Sequence, residues 1–454
     1  MTGPAASAEP ASAPDPTAII KSRSYVALLL LGALLGVPVA TVAYFFLDGV
    51  SRLQTEIFVD LPKSLGFHGE PLWWPLPWLA LSGVLVALAI RYLPGTGGHE
   101  PSEGFKSGGP VQPVELFGIV AAAFATLGLG VVLGPEAPLI AIGSGLGVLA
   151  VHLVKRDAPP MAAVVIGAAG SFAAIATLLG SPLVGAFLLM EMAGLGGPMM
   201  EIVLIPGLLA AGVGSLIFVG LNSLTGFGSF SLTVSSIPHV GAPNGVEFLW
   251  AIAIGMGGAV VATVIFKLST MLRPLVERSR VLVTPVAGLA VAGLAIAFAA
   301  GTGRSSSEVL FSGQSALPSL VQQAAGWTVG ALLLLLVCKG LAYAISLSGF
   351  RGGPIFPSMF IGAAGGIALS HVGGLPMIAG AAMGVGAMIA GALKMPFTAV
   401  LLPSLLFVTD AVTLMPLVIV AVVVSYVVAV WIKPSTPPAA APAPASAPAP
   451  VGSG

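Results

Sequence analysis

The sequence predicts an all-α polytopic membrane protein whose helices, several of them tilted or broken, fall into two repeats. Three observations carry that reading: a near-absence of charge, a series of apolar runs of which some are too short to span, and a gapless self-match between two Gly/Pro elements. Of 454 residues, 57% are hydrophobic and only 7% charged, with a mean hydropathy of +1.05. A soluble domain of this size must solvate its exterior with charged side chains, whereas a chain whose exterior faces lipid need not.

The 17 basic and 17 acidic residues cancel, so no nucleic acid or other polyanion is expected as a partner. Cys338 is the single cysteine, which excludes an internal disulfide and a multi-cysteine metal site, and reads as a small apolar filler. His68, His99, His152, His239 and His371 lie near the ends of apolar runs and never pair at ligand spacing. No metal and no cofactor is expected.

Residues 1–20 form an Ala/Pro/Ser-rich leader and residues 434–454 a Pro/Ala tail; neither can bury a core, and both are expected to be disordered. The leader lacks the basic start, short apolar stretch and small-residue site of a cleaved signal, so it is expected to be retained. Between them, residues 21–433 read as one membrane domain. Its apolar runs cover 25–48, 72–94, 114–133, 137–154, 161–180, 182–192, 199–221, 246–268, 281–303, 329–349, 355–372, 377–394, 396–409 and 411–432. A bilayer core needs about 20 helical residues, and several runs meet that length. The run "PLVGAFLLMEM" does not, and Gly194, Gly196 and Gly197 interrupt the chain just beyond it. Broken helices at membrane depth are tolerated only where they are buried in protein or line a cavity, so they point to a site built from helix ends. Trp73, Trp74 and Trp78 suit an aromatic belt. Lys21 and Arg23, with Arg273, Arg278 and Arg280, suggest cytoplasmic edges, with both termini in the cytoplasm and the chain in the inner (plasma) membrane.

The self-match lays "GPEAPLIAIGSGLG" on "GPIFPSMFIGAAGG", placing Gly134, Pro135, Pro138, Gly143 and Gly147 on Gly353, Pro354, Pro357, Gly362 and Gly366. Farther along, Gly167 falls on Gly380 and Pro182 on Pro396. The first repeat is thus expected over about 75–220 and the second over about 246–432. Halves of inverted topology meeting at broken helices are a common plan of secondary transporters.

Each repeated element turns at Gly and Pro and then enters an apolar helix. Proline suits the first helical turn, where its missing N–H costs nothing. The unpaired amides of that turn, at the positive end of the helix dipole, attract an anion without a full positive charge. Such mildness suits a permeating ion, which must bind firmly enough to enter and loosely enough to leave. Three stretches offer such starts: "KSGGP" at 106–110, "GPEAP" at 134–138 and "GGPIFP" at 352–357. Ser107 adds a hydroxyl donor, and Ile355 and Phe356 offer amides. Glu136 can then occupy the anion's place itself and leave when protonated or displaced, which makes it a gate. The plainer alternative, a first-turn acid favoured by its own helix dipole, is worth only about 0.3–1 kcal/mol, too little to offset burial of a charge.

With these motifs the chain resembles the CLC family of chloride channels and proton-coupled chloride transporters, over about residues 25–432. "KSGGP", "GPEAP", "GGPIFPSMFIGAAGG", "GSPLVGAFLLMEM" and "LKMPFTAVLLPSLLFVTD" carry the likeness. The likeness is to the divergent bacterial type, which is expected to lack cytoplasmic nucleotide-binding domains. The resemblance implies a CLC-like fold and a homodimer with a pore in each subunit. It further implies an anion held at Ser107, Gly108, Gly109 and Pro110 and at the amides of Ile355 and Phe356, with Glu136 as the gating glutamate. Chloride or a similar monovalent anion is the implied substrate, with protons as a second.

The departures matter. Pro135 and Ala137 replace the basic residue and glycine that flank the family's gate, and Lys106 replaces a glycine. The internal proton-passing glutamate of coupled members falls on Met192, while Glu191, one residue earlier, is turned by about 100° on a helix. Glu191 is therefore either a proton-path residue or a buried, hydrogen-bonded acid. The family's C-terminal pore tyrosine has no match after Lys433. Asp410 is expected to cap the last helix, Lys339 and Lys394 to pair with acids or snorkel, and Arg351 to pack at the third turn or to attract anions there. The leading expectation is channel-like or weakly proton-coupled anion permeation, the alternative a proton/chloride antiporter. An intramembrane hydrolase using Ser144 finds no mid-span histidine to serve as its base, so no enzyme is expected.

Overall fold

The computed structural model describes residues 19–104, 109–194, 198–226, 232–234 and 239–432. Fifteen helices organise them: α1 Arg23–Thr55, α2 Pro75–Tyr92, α3 Leu116–Leu127, α4 Glu136–Val154, α5 Pro160–Leu179, α6 Pro182–Ala193, α7 Pro198–Thr225 and α8 Gly245–Arg278, followed by α9 Arg280–Thr302, α10 Leu317–Gln322, α11 Val329–Gly349, α12 Ile355–Ser370, α13 Met377–Leu393, α14 Pro396–Leu406 and α15 Ala411–Ile432. Nine helical stretches of the described residues are long and apolar enough to cross a membrane. The run expected to be short is short, Pro182–Ala193, and Ile355–Ser370 and Pro396–Leu406 also fall below spanning length.

Local sequence sets most boundaries. Ser22, Ser181, Asn244 and Thr328 each accept a backbone N–H of the first turn they precede, which satisfies donors that a helix start leaves open. Proline opens α2, α5, α6 and α14. Gly180 and Gly303 close α5 and α9 in the left-handed conformation, which a side chain would resist.

Some elements exceed the expectation. The first apolar run ends near residue 48, but the helix continues through a π turn, Glu56–Asp60, to Ser64. The extension is amphipathic: Arg52 is exposed and pairs with Asp48 at 2.8 Å, while Ile57 and Phe58 are buried. Trp74 is also buried and donates to the Ile57 carbonyl at 2.9 Å, while Trp73 remains half-exposed. Short α10 has no counterpart among the apolar runs because six residues carry too little periodicity. Ile19 and Ile20, at the end of the leader, pack against Tyr25, Val165, Ile202 and Val203.

The lone charges resolve individually. Lys339 neither snorkels nor ends on a carboxylate: it is fully buried, and its Nζ donates to the carbonyls of Glu308, Val309 and Leu310 at 2.9–3.0 Å, over the Phe360 ring. Asp410 stands just before α15 and meets His239 at 3.2 Å. Lys394 ends α13 in the left-handed conformation.

The repeat is visible as matched packing. In the first half, α4 and α5 touch where Gly143 lies on Gly170 and Gly147 on Ile166 and Gly167; in the second, α12 and α13 touch where Gly362 lies on Gly384 and Gly366 on Gly380. Small residues let the backbones approach, which is how helices associate where lipid supplies no hydrophobic drive. The starts of α4 and α12 meet, and each helix leads away from that point into its own half.

Two neighbouring glycines of α12 test this packing. A Cβ at Gly366 would land on the Gly380 carbonyl, whereas one at Gly365 would only reach Leu336 Cδ2 at 3.9 Å. Gly366→Ala should lower the melting temperature in detergent, overpacking costing about 1–3 kcal/mol. Gly365→Ala should leave it unchanged or raise it. Size-exclusion profiles and thermal melts of the two variants make the comparison.

Candidate anion-binding site

The site begins with backbone. Gly134 and Gly353 form an isolated antiparallel bridge: Gly134 N–H donates to the Gly353 carbonyl at 2.7 Å and Gly353 N–H to the Gly134 carbonyl at 2.5 Å. The segment ahead of Gly134 is held as well, by Phe311 N–H to the Gly130 carbonyl at 3.1 Å and Val132 N–H to Ser346 Oγ at 3.3 Å. Tyr343 donates its hydroxyl to the Pro354 carbonyl at 2.8 Å and fixes the other turn.

This bridge decides which donors stay open. The two glycine amides are spent on each other, and Pro135 and Pro354 have none. The first available N–H groups are therefore those of Glu136 and Ala137 at the start of α4 and of Ile355 and Phe356 at the start of α12, first-turn donors with no partner inside their helices. Glu136, fully buried, turns its side chain across the bridge, and its Oε1 accepts Phe356 N–H at 2.8 Å. The Ile355 amide and Glu136's own amide also act on the carboxylate. Oε2 has no hydrogen-bond partner; it lies against the α-carbons of Gly134 and Gly353, where a methyl on either glycine would collide with it. Neither glycine has a positive φ. They are required for room rather than for backbone conformation.

Beside the helix starts lies a cavity of about 630 Å³, with Gly109, Pro110, Ala137, Pro138, Ser144 and Arg351 in its wall. Of the predicted anion-binding stretch, Ser107 and Gly108 lie outside the described residues. Gly109 and Pro110 border the cavity, and the next residue, Val111, donates its N–H to Ser144 Oγ at 3.2 Å. Ile355 and Phe356 come together with Glu136. Glu191 does not join them. Its carboxylate accepts Phe397 N–H at 2.7 Å, Thr398 N–H at 2.8 Å and the Thr398 hydroxyl at 2.7 Å, at the start of α14, and Met192 takes the place in the cavity wall.

Sequence reasoning missed the bridge. The self-match makes Gly134 and Gly353 equivalents, and nothing in it says that they also bond to each other. Glu100 was missed too; its carboxylate is shared by Arg273 at 2.5 Å, Arg351 at 3.1 Å and Arg280 at 3.2 Å. This network ties the loop ahead of residue 105 to the end of α8, the start of α9 and the turn before α12.

A sequence profile described as "Voltage gated chloride channel" matches residues 16–205 and 79–430. The chain belongs to that family, the CLC proteins. YfeO of Salmonella newport (strain SL254), which bears the name of a putative ion-transport protein, is 31% identical over 362 residues, covering 78% of this chain and 84% of the relative. YfeO of Escherichia coli O17:K52:H18 is 28% identical over 366 residues, covering 78% and 82%. Among solved structures, a slow cyanobacterial Cl⁻/H⁺ antiporter matches with a TM-score of 0.70 at 21% identity, over 89% of this chain and 94% of that one. A CLC-type fluoride/proton antiporter matches with a TM-score of 0.64 at 20% identity, over 89% and 95%. At such identity these structures speak for a shared fold. CLC membership makes this multi-pass membrane protein one of a family of anion transporters and channels.

The carboxylates around the site yield two tests. Glu191 acts as a cap for α14, so Glu191→Ala should lower the melting temperature by the equivalent of about 1 kcal/mol, and Glu191→Gln, which keeps one acceptor oxygen, by less. For Glu100, burial pushes the carboxyl up, but Arg351, Arg280 and Arg273 together outweigh it and hold the carboxyl below its ordinary range. A depressed carboxylate contributes stability that is present above its unfolded value of about 4.3 and lost as pH falls through the lower folded value. Thermal melts of wild type and Glu100→Gln should therefore differ at pH 7 and converge progressively as pH falls below about 4.

Proposed function

We propose that this CLC protein passes a small monovalent anion, chloride first, through a pore in each subunit of a homodimer, with Glu136 as the gate that competes with the anion. The observation that supports this is the seat of the Glu136 carboxylate on the Phe356 amide at the meeting point of two helix starts. A carboxylate oxygen there takes the hydrogen bond that a halide would take. The donors are neutral amides, so the seat attracts negative charge without trapping it. Among the described residues no cation pairs with the buried Glu136 carboxylate, and an ionised carboxylate so placed is costly; either protonation or displacement by an anion relieves that cost. The basic loops favour an orientation with both termini in the cytoplasm and the chain in the plasma membrane.

Proton-coupled exchange is the second reading, because Glu136 is itself a buried group able to take up and release a proton. The channel-like reading is favoured by the other end of a proton route: Met192 lines the cavity, and Glu191 is spent on α14.

Anion and proton fluxes recorded together from proteoliposomes test both. Wild-type chloride efflux should rise as pH falls, since a protonated Glu136 no longer competes for the seat. Glu136→Gln, neutral at every pH, should give efflux at least as fast and independent of pH. No chloride flux above empty vesicles would end the anion reading. Uphill proton movement driven by a chloride gradient would establish exchange in place of a channel.

A further inference from the structure

Away from the anion cavity, an apolar groove of about 650 Å³ runs between α1, α2 and α3. Trp78, Leu81, Leu85, Leu88 and Tyr92 supply one wall at the three-to-four spacing of a single helix face. From Trp78 to Tyr92 this stripe is about 21 Å long at 1.5 Å per residue. Leu81, Leu85, Leu88 and Tyr92 are exposed, so the groove is open on the membrane side. Among the described residues its lining carries no charge, and its only polar side-chain groups are the Trp78 indole and the Tyr92 hydroxyl, one toward each end. The two ends differ in what stands beside them. At the Tyr92 end, Arg91 is exposed, holds its guanidinium 5.4 Å from the centre of the Tyr92 ring, and among the described residues enters no ion pair. On α1, Arg52 adjoins the lining Leu53 but is paired with Asp48 at 2.8 Å. An unpaired positive charge therefore marks the Tyr92 end.

We propose that this groove is a phospholipid site: one acyl chain of a glycerophospholipid lies along the α2 stripe, and the lipid's phosphate rests on Arg91. In a bilayer, apolar surface alone selects no partner, since lipid tails are as apolar as leucine. Enclosure between three helices and a cation at one end supply the preference. Arg91 sits in the last turn of α2, where the chain leaves the hydrocarbon and the phosphates of one leaflet begin, and its guanidinium can give a phosphate two parallel N–H bonds. The site has a bearing on transport. Leu93 lines the groove and leads directly into Gly95, Thr96, Gly97 and Gly98 of the anion-cavity wall. The bound lipid braces that wall from its membrane side.

Delipidated full-length protein in detergent, titrated with palmitoyl-oleoyl phosphatidylglycerol and in parallel with the matching diacylglycerol, tests both halves of the proposal by native mass spectrometry. The phospholipid should fill a saturable site more tightly than the diacylglycerol. Arg91→Gln should weaken the phospholipid about tenfold and leave the diacylglycerol unchanged, with Arg91→Lys in between. Ala121→Phe, which fills the groove from an exposed position, should abolish saturable binding of both. A second readout uses the wild-type groove: phosphatidylglycerol brominated on its acyl chain should quench Trp78, seen as the part of the fluorescence loss that Trp78→Phe removes. Equal binding of phospholipid and diacylglycerol, an Arg91→Gln titration identical to wild type, or quenching that Trp78→Phe leaves unchanged would overturn the proposal.

Discussion

Two hydrogen bonds between Gly134 and Gly353 are the constraint on which the rest of the site depends. They hold two helix starts together where lipid surrounds the protein and water cannot satisfy a backbone group. With the glycine amides paired and the neighbouring prolines lacking N–H, the open donors are confined to the next residues of each half. The two α-carbons also clear the space in which the Glu136 carboxylate rests. A side chain at either position would fill it.

Everything packed around the bridge keeps it there. Tyr343 fixes the turn on one side, Ser346 and Phe311 the extended segment on the other. Farther out, glycine contacts between α4 and α5 and between α12 and α13 bring each helix close to its neighbour. Lys339, bonded to four successive carbonyls, clamps the 308–311 turn whose last residue supports Gly130. Structural and functional charge are thus separated. Lys339, Glu191, Glu100 and Arg351 spend themselves on protein partners, whereas Glu136 retains an unpaired oxygen.

Much of this was legible in the residues because the physics behind it is local. Apolar runs report their own length against the bilayer, and Gly/Pro turns report where a helix begins. The matched glycines of the two halves report close helix packing. Glu136, Ile355 and Phe356 could be named as a site because each sits in the first turn of such a helix. The one-residue offset between Glu191 and Met192, about 100° on a helix, left Glu191 open as a proton-path residue or a hydrogen-bonded acid, and its bonds to the start of α14 became visible only in the packed chain.

The sequence by itself determined the fold class, the two repeats and the chemistry of the helix starts, because these arise from composition and spacing within short stretches. Tertiary structure alone decided which starts meet, which amides remain open, and which of the lone charges is neutralised. Those outcomes depend on contacts between residues hundreds of positions apart, such as Gly134 with Gly353 or Glu100 with Arg351, and no local pattern encodes the partner. A buried polar group must find that partner somewhere. Only the packed chain shows where it did.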